Sequence, residues 1–430
     1  MTPFVLIAFR FPPYDRVGAY RWSKLCGRLA RLGHRIDVLC AHWPEVEDPG
    51  WFGDVQHENV RIHRSRSFYP HQLHGAHFQH RLSQKLKAGA FRLLTRLTPA
   101  HDIASLWWPA LKPAALRLLA AQRKPMLIAT GAPFSSNYWA SRLRLAYPGT
   151  RLIQDFRDPW LTSPDELRSS GWARRFRLAT SEADALVSVT DEMSELFRRL
   201  SGHPRVSTVP NGVELAQLRA LRAPEGARYD FAYIGNLFNR RDEPLRQFLA
   251  WVRAKRASGS APRLAIAGQY PPSLRDEARD LLASGQLVLL PHLPQREAFE
   301  LLLASKIALQ FNGPGALPQF QTTTKLVEHA ALGRPTLSLN YGGAAEDFIR
   351  QRGLGWSLRA DSPRLFEELD ACWRAEQQFE LRVSDFDFDQ TSRRYSELIE
   401  SIAERSSTSP LAPSASSSFT DPAADLGSSA

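Results

Sequence analysis

The sequence predicts an α/β protein built from two parallel sheets, each covered by helices. Short apolar runs typical of buried strands alternate with longer amphipathic patterns typical of helices over most of the 430 residues. The alternation starts afresh after residues 206–209, next to a turn formed by Pro210, Asn211 and Gly212. Two such halves commonly face each other across a cleft, and the carboxyl ends of their strands line that cleft.

The first half opens with a β-loop-α-β pattern. Residues 4–9 and 35–40 are apolar runs, residues 20–32 are amphipathic, and Gly33 can end that helix in a left-handed conformation. Three further strands are expected at 126–129, 152–154 and 185–189, and helices at 110–122, 136–146, 172–183 and 192–200.

The second half repeats the alternation. After a strand at 206–209, strands are expected at 231–234, 264–267, 287–290, 307–309 and 336–339, and helices at 245–255, 272–284, 296–304, 325–332 and 344–350. We therefore divide the chain into a domain at 1–205, a domain at 206–384 and a terminal helix at 385–404. Residues 405–430 are rich in Ser, Pro and Ala, and we expect them to be disordered.

Composition excludes several classes of protein. Hydrophobic residues make up 43% and charged residues 23%, which is ordinary for a globular chain. No run of about 18 apolar residues predicts a membrane-spanning helix, and the N-terminus lacks the basic region of a secretory signal. Three cysteines without zinc-type spacing fit a reducing cytoplasm.

Positive charge is concentrated at residues 61–124. The net charge is +11, and this segment holds twelve Lys or Arg residues against one acid, Asp102. Bases interleaved with Phe91, Trp107 and Trp108 predict contact with an anionic membrane surface, with the aromatic rings available for insertion. A plain solvated face is the alternative. Nucleic acid is not an expected partner, because no nucleic-acid-binding motif is present.

Three stretches of the first half place polar groups after predicted strands. Gly18, in FPPYDRVGAYRW, opens a helix and can let a ligand approach the backbone. Asn137 follows ATGAPFSS, and Asp155 and Asp158 lie in DFRDPW. We assign Asn137, Asp155 and Asp158 as candidate catalytic residues. The alternatives are a structural turn at Gly18, a helix-capping Ser beside Asn137 and an internal Asp–Arg pair in DFRDPW.

Two stretches of the second half predict a diphosphate site. In YIGNLFNRR, Gly235 and Asn236 follow a predicted strand and Arg241 comes shortly after, so a phosphate could approach closely beside a guanidinium. In QTTTKLVEHAALGRP, Thr323 and Thr324 can cap a helix whose free N–H groups bind phosphate. Lys325 follows them, and Glu328 lies one turn into the helix, where a carboxylate can accept bonds from two ribose hydroxyls. A capping box with Glu328 is the alternative.

With these motifs the chain resembles a GT-B glycosyltransferase, similar to family 4, over about residues 4–400. The resemblance rests on PPYDRVGAYRW, APFSSN, DFRDPW, VPNGVE, YIGN and TTKLVEHAALGRP. It implies two Rossmann-like domains facing each other across a cleft, with Glu328 on the ribose. It also implies a diphosphate held by Gly235, Arg241, Thr324 and Lys325, and Gly18 close to the donor.

Two positions depart from that family. Its pattern has a Glu eight positions before the ribose Glu, in contact with the donor sugar, where this chain has Phe320. Many relatives also have a His after the paired serines, where this chain has Asn137. Both departures concern sugar recognition and catalysis, and neither concerns the nucleotide.

The sequence thus predicts a cytoplasmic, peripherally membrane-associated glycosyltransferase. It would move a sugar from a nucleotide-diphosphate sugar to an acceptor hydroxyl with retention of configuration, in cell-surface polysaccharide or glycolipid synthesis. We expect no metal and no other cofactor. The alternatives are another nucleotide-sugar enzyme of this fold, an epimerase or a synthase, and a non-catalytic scaffold.

Overall fold

A computed structural model describes residues 2–14, 17–43, 51–68, 102–169, 171–223, 228–238 and 240–404, together with 86, 89–91 and 93. Much of the basic segment lies outside the described residues, and so does the predicted disordered tail. Within the described part, no helix is long and apolar enough to cross a membrane.

The first half forms a seven-stranded parallel sheet in the order β3-β2-β1-β4-β5-β6-β7. The strands are β1 (Phe4–Ile7), β2 (Ile36–Ala41), β3 (Val60–Ser65), β4 (Met126–Gly131), β5 (Arg151–Phe156), β6 (Ala185–Ser188) and β7 (Val206–Thr208). β1 and β4 are buried along their whole length, as expected for a sheet covered on both faces. Because β7 pairs with β6, the first sheet extends beyond the predicted boundary at residue 205.

Helices cover both faces of this sheet. They are α1 (Val17–Arg31), α2 (Trp108–Ala120), α3 (Ser135–Ala146), α4 (Pro164–Ser169), α5 (Gly171–Ser181) and α6 (Asp191–Ser201). Helix α6 shows most clearly how local interactions set the ends of these helices. The hydroxyl of Thr190 accepts a hydrogen bond from the N–H of Met193 at the start of α6, and Gly202 ends that helix at φ 65°.

The second half forms a six-stranded parallel sheet in the order β10-β9-β8-β11-β12-β13. Its strands are β8 (Tyr229–Asn236), β9 (Leu264–Gln269), β10 (Leu287–Leu290), β11 (Ser305–Phe311), β12 (Thr336–Asn340) and β13 (Gly355–Arg359). The predicted fold class, α/β with two parallel sheets, is therefore confirmed.

Helices of the second half connect these strands. They are α7 (Leu215–Ala220), α8 (Asp242–Ala257), α9 (Ser273–Glu277), α10 (Arg279–Ala283), α11 (Gln295–Leu303), α12 (Thr324–Ala331), α13 (Ala344–Arg352) and α14 (Leu365–Arg374). The single helix expected at 272–284 is divided at Ala278, whose φ is −112° and ψ 18°.

The last helix, α15 (Phe388–Glu404), returns to the first half. Its residues Phe388, Tyr395, Ile399 and Ile402 belong to the same buried cluster as Phe4 and Trp22. His34 links the two segments as well, since its Nε2 lies 2.7 Å from the hydroxyl of Ser396. The first sheet therefore completes its core with the last described residues of the chain.

Trp107 differs from the sequence prediction. It is fully buried, and its indole N–H donates to Ser65 Oγ at 2.8 Å. Trp108, only partly exposed, stacks on Trp139 with ring centroids 4.7 Å apart. The expectation that Trp107 inserts into a membrane is therefore wrong, because its apolar surface already packs within the first half.

Candidate functional site

The predicted diphosphate residues meet where β8 ends and α12 begins. Gly235 and Asn236 are the last two residues of β8, and Thr324 and Lys325 are the first two of α12. Parallel pairing places the ends of β8, β11 and β12 along one edge of the second sheet. The structure thus brings the two sequence motifs together, as ligand sites in open α/β sheets require.

Gly235 makes room for the Lys325 side chain. Its φ is 129°, and a Cβ at this position would overlap Lys325 Nζ. The ammonium also lies 4.9 Å from the centre of the Tyr233 ring, a cation–π distance. Gly235 is therefore needed here both for its backbone conformation and for the absence of a side chain.

Arg241 extends the positive side of this site. Its Nη1 donates to the backbone oxygen of Asn236 at 3.2 Å, and the Tyr233 hydroxyl donates to the same oxygen at 2.9 Å. The side chain of Asn236 accepts from the N–H of Phe238 at 2.7 Å and so shapes the turn. Arg241 and Lys325 are close enough that the charge of Arg241 lowers the pKa of Lys325.

Thr323 is the N-cap of α12, and its hydroxyl accepts from the N–H of Lys325 at 3.2 Å. Glu328 follows the cap by five positions instead of three, so the capping box considered from the sequence does not form. The carboxylate of Glu328 is instead on the wall of a cavity.

Burial shifts the pKa values of both ionisable groups on this helix. It raises the pKa of Glu328 to about 7, although the Lys325 charge acts in the opposite direction. It lowers the pKa of Lys325 to about 8, with Arg241 acting in the same direction. No carboxylate of the described chain forms an ion pair with Lys325. Partly desolvated charges without a close partner are typical of ligand sites.

A cavity of about 450 Å³ lies between the two halves, beside Glu328. Tyr20, Lys24 and Asp54 line it from the first half, and Glu214, Arg296 and Glu328 line it from the second. Lys24 Nζ bridges Asp54 and Glu214 at 2.7 and 3.1 Å. This volume is in the range of about 300–1,000 Å³ that small-molecule sites occupy. Neither Tyr20 nor Lys24 was predicted to line a site, and the two residues lie one turn apart on α1.

Asp155 has only internal partners. It is fully buried, and its oxygens accept from Trp22 Nε1 at 2.8 Å, Thr130 Oγ1 at 2.9 Å and Arg21 Nη2 at 3.2 Å. Arg21 also donates to the backbone oxygen of Pro210 at 2.7 Å. These contacts tie α1 to β5 and to the connection between the halves. A direct catalytic role for Asp155 stays a prediction.

Asn137 is also fully buried, in the first turn of α3. Its Nδ2 donates to the oxygen of Ala129 at 3.1 Å and to Gln154 Oε1 at 2.8 Å. Its Oδ1 lies against Gly131, where a Cβ would collide with it. These contacts hold α3 on β4 and β5, and the catalytic role predicted for Asn137 also stays a prediction.

Asp158 lies where the two halves touch. Its Oδ1 accepts from Gln321 Nε2 at 2.6 Å, immediately before α12. Next to it, the Thr190 hydroxyl donates to the backbone oxygen of Phe320 at 2.7 Å, and the Phe320 ring packs against an apolar cluster of the first half. Thus Asp158, alone among the three catalytic candidates, contacts the segment that leads into α12.

Gly18 lies in the first turn of α1, beside two guanidinium groups. Its backbone oxygen accepts from Arg157 Nη1 at 2.9 Å. A Cβ at Gly18 would lie 2.8 Å from Arg10 Cδ, so the Arg10 side chain occupies the space that the glycine leaves free. Among the described residues, no group of three or more His, Cys, Asp or Glu could hold a metal ion.

The comparisons with known proteins agree with this architecture. The family model for Glycosyltransferase Family 4 matches residues 20–217. Sucrose-phosphate synthase from Thermosynechococcus elongatus superimposes with a TM-score of 0.57 at 14% identity, over 94% of this chain and 96% of that one. The chain has the GT-B fold and is similar to family 4 glycosyltransferases. The resemblance predicted from the motifs is therefore confirmed.

Two further structures show how widely the fold is shared. The Anabaena protein HepE, solved in complex with UDP, gives a TM-score of 0.59 at 11% identity over 93% of this chain and 100% of that one. A UDP-GlcNAc 2-epimerase from Methanocaldococcus jannaschii gives 0.53 at 10% identity over 93% and 100%. No curated protein sequence matches this chain.

Proposed function

We propose that the protein transfers a glycosyl group from a nucleotide-diphosphate sugar to an acceptor hydroxyl. The observation that supports this most directly is the pair on α12, in which Lys325 and Glu328 lie one turn apart and neither forms a close ion pair among the described residues. Lys325 can bind a diphosphate, and Glu328 can accept hydrogen bonds from a ribose. The family match over residues 20–217 supports glycosyl transfer as the reaction.

In this proposal the donor diphosphate lies at the start of α12. Lys325 and Arg241 supply two positive charges. The start of the helix, after Thr323 and Thr324, presents N–H groups and the positive end of the helix dipole to the phosphates. Gly235 and Asn236 bring the backbone of β8 close to the same group. Glu328 accepts hydrogen bonds from the ribose hydroxyls at the edge of the cavity between the halves.

These charges would also serve the reaction. The bond between the anomeric carbon and the diphosphate oxygen breaks, and a bond from that carbon to the acceptor oxygen forms. The leaving diphosphate gains negative charge, which Lys325 and Arg241 stabilise. The acceptor proton passes to a base, for which Asp158 is our candidate among Asp155, Asp158 and Asn137. Retention of configuration follows from the resemblance and needs a product analysis.

The acceptor would be a lipid-linked or cell-surface saccharide, as part of polysaccharide or glycolipid synthesis. The basic segment at 61–124 supports this choice, because positive charge favours an anionic membrane surface. On that basis we propose a cytoplasmic enzyme that binds the inner face of the membrane peripherally.

The test separates this proposal from the two alternatives. Calorimetry with UDP, GDP and dTDP measures whether the protein binds nucleotides, and a scaffold would bind none. A panel of sugar nucleotides with a lipid-extract acceptor then distinguishes transfer from epimerisation. Transfer that is lost in Lys325→Gln and kept in the exposed control Lys306→Gln supports the proposal. Isomerisation of the donor without transfer would refute it.

A further inference from the structure

Arg10 and Arg157 bring two guanidinium groups together at the carboxyl edge of the first sheet. Arg10 follows β1, and Arg157 follows β5. Both groups lie against Gly18. A Cβ at Gly18 would be 2.8 Å from Arg10 Cδ, 3.4 Å from Arg10 Nη1 and 3.6 Å from Arg157 Nη1. Gly18 therefore leaves room for two cations at the carboxyl edge of the first sheet.

Arg157 is surrounded by backbone carbonyls. Its Nε donates to the oxygen of Gly131 at 3.2 Å, its Nη1 to the oxygen of Gly18 at 2.9 Å and its Nη2 to the oxygen of Ala132. No described carboxylate forms an ion pair with it. Burial lowers its pKa, the charges of Asp158 and Asp155 oppose this shift, and the charge of Arg10 acts in the same direction as burial. The positive charge of Arg157 is thus held by backbone dipoles and by the field of two carboxylates that do not form close ion pairs with it.

Arg10 has unused donors. It is half-buried, and its Nε is buried without a hydrogen-bond partner among the described residues. Its guanidinium carbon lies 5.6 Å from the centre of the Tyr14 ring. The charge of the nearby Asp102 carboxylate interacts with that of Arg10, but its oxygens accept from the N–H groups of Ala104 and Ser135, each at 2.9 Å, and not from Arg10 Nε. A buried guanidinium nitrogen without an acceptor requires an explanation.

We propose that Arg10 binds a phosphoryl group of a substrate at this edge, with Arg157 adding a second positive charge. A guanidinium with free donors matches the geometry of a phosphate, and a second guanidinium beside it adds to the attraction. The placement of this group in a sugar-transfer reaction rests on the proposed function. The phosphoryl group belongs either to the donor diphosphate or to a phosphorylated acceptor, which share this chemistry.

Calorimetry on the full chain tests the proposal with inorganic phosphate, with and without saturating UDP, at constant ionic strength. The variants are Arg10→Gln, Arg10→Lys and the control Arg64→Gln. Arg64 is exposed at the same edge and donates to the oxygen of Pro12 at 3.2 Å. We expect the affinity for inorganic phosphate to fall at least tenfold in Arg10→Gln, less in Arg10→Lys and by under twofold in Arg64→Gln.

The two arms identify the source of the phosphoryl group. If Arg10 serves the donor, Arg10→Gln weakens UDP itself at least tenfold. If it serves the acceptor, UDP affinity is unchanged, and the phosphate that binds beside saturating UDP is lost in Arg10→Gln. Unchanged affinity for both phosphate and UDP in a folded Arg10→Gln protein overturns the proposal, as does an equal loss in Arg64→Gln.

The phosphate site at Arg10 and the proposed function can be refuted separately. Phosphate binding that depends on Arg10, in a protein that turns over no sugar nucleotide, would keep this site and refute glycosyl transfer. Turnover that depends on Lys325 but not on Arg10, with phosphate affinity unchanged, would refute this site and keep the proposed function.

Discussion

Glu328 and Lys325 lie one turn apart on α12. Among the described residues, neither of them forms the close ion pair that neutralises most buried charges. Burial without such a partner disfavours the charged form of each. A bound nucleoside diphosphate would supply hydrogen-bond donors to Glu328 and negative charge to Lys325. The three predictions at the residue scale rest on these two proposed contacts.

Glu328→Ala should weaken the affinity for a nucleoside diphosphate by about 1.5–3 kcal/mol, the usual value of a hydrogen bond to a charged group. The fold should survive, because the side chain faces a cavity. Calorimetry measures the loss, and the exposed Glu376→Ala is the control. Unchanged affinity in a folded Glu328→Ala protein would contradict the assignment.

Nucleotide affinity should depend on pH with a maximum between about 7 and 8. As the pH rises through the Glu328 pKa of about 7, the carboxylate that accepts the ribose hydroxyls forms. As it rises further through the Lys325 pKa of about 8, the ammonium that binds the diphosphate is lost. Titrations from pH 6 to 9.5 measure both limbs. Glu328→Gln should abolish the rising limb, and a flat profile in the native protein would refute this account.

Gly235→Ala should reduce diphosphate affinity more than it reduces stability. A Cβ at this position would displace Lys325 Nζ, and φ 129° adds strain. Gly259→Ala is a matched control, because Gly259 has a φ of 82° and nothing within 4 Å of its missing Cβ. Comparing melting temperature and nucleotide affinity of the two variants separates the steric effect from backbone strain. Equal nucleotide affinities would contradict the role of Gly235.

The sequence predicts which residues come together in the second half better than it does for the first half. Gly235, Arg241 and Lys325 are recognisable because strand–glycine and threonine–helix motifs have local signatures. The partners of Asp155 come from α1, β4 and the connection between the halves, so no local pattern could reveal that it is enclosed. Gln321 was missed since its contact with Asp158 spans 163 positions.

At the scale of elements, helix α15 is the segment whose position the sequence could not predict. Its amphipathic pattern predicts a helix, and the observed bounds Phe388–Glu404 agree closely with it. A pattern of period 3.6 shows which face is buried but not what it packs against. The sequence analysis does not predict strand β3, because the exposed bases of this edge strand interrupt the apolar pattern typical of a buried strand.

Ile399→Ala should destabilise the protein by about 2–5 kcal/mol, as for other buried aliphatic side chains cut to alanine. Ile399 is fully buried in the core of the first half. Urea unfolding measures the change, and the exposed Glu397→Ala on the same helix should stay within about 0.5 kcal/mol. A negligible loss in Ile399→Ala would mean that α15 is loosely attached.

At the scale of the whole molecule, charge is divided unevenly between the halves. The basic segment at 61–124 carries twelve bases and one acid, and it belongs to the first half. The residues that we propose to bind the nucleotide belong to the second. Membrane attraction and nucleotide binding should therefore be separable by mutation.

Binding to anionic vesicles should fall steeply with salt, since screening acts over about 8 Å at physiological ionic strength. Replacing five bases of the segment by Gln should weaken vesicle pelleting and leave nucleotide affinity intact: Arg81, Lys85, Lys87, Arg92 and Arg96. A control with the same charge change replaces five exposed bases of the second half: Arg219, Arg256, Arg275, Arg279 and Arg364. Absence of pelleting at low salt, or an equal loss in both variants, would remove the membrane proposal.

The return of α15 to the first half has a consequence for the order in which the protein can fold on the ribosome. The strands of the first sheet are complete once Thr208 has been synthesised, but its core lacks Phe388, Tyr395, Ile399 and Ile402 until the whole second half has been synthesised. The second sheet contains its own core residues and is synthesised in between. The half that is made first is thus completed last, and during synthesis its uncovered apolar face is a natural target for chaperones.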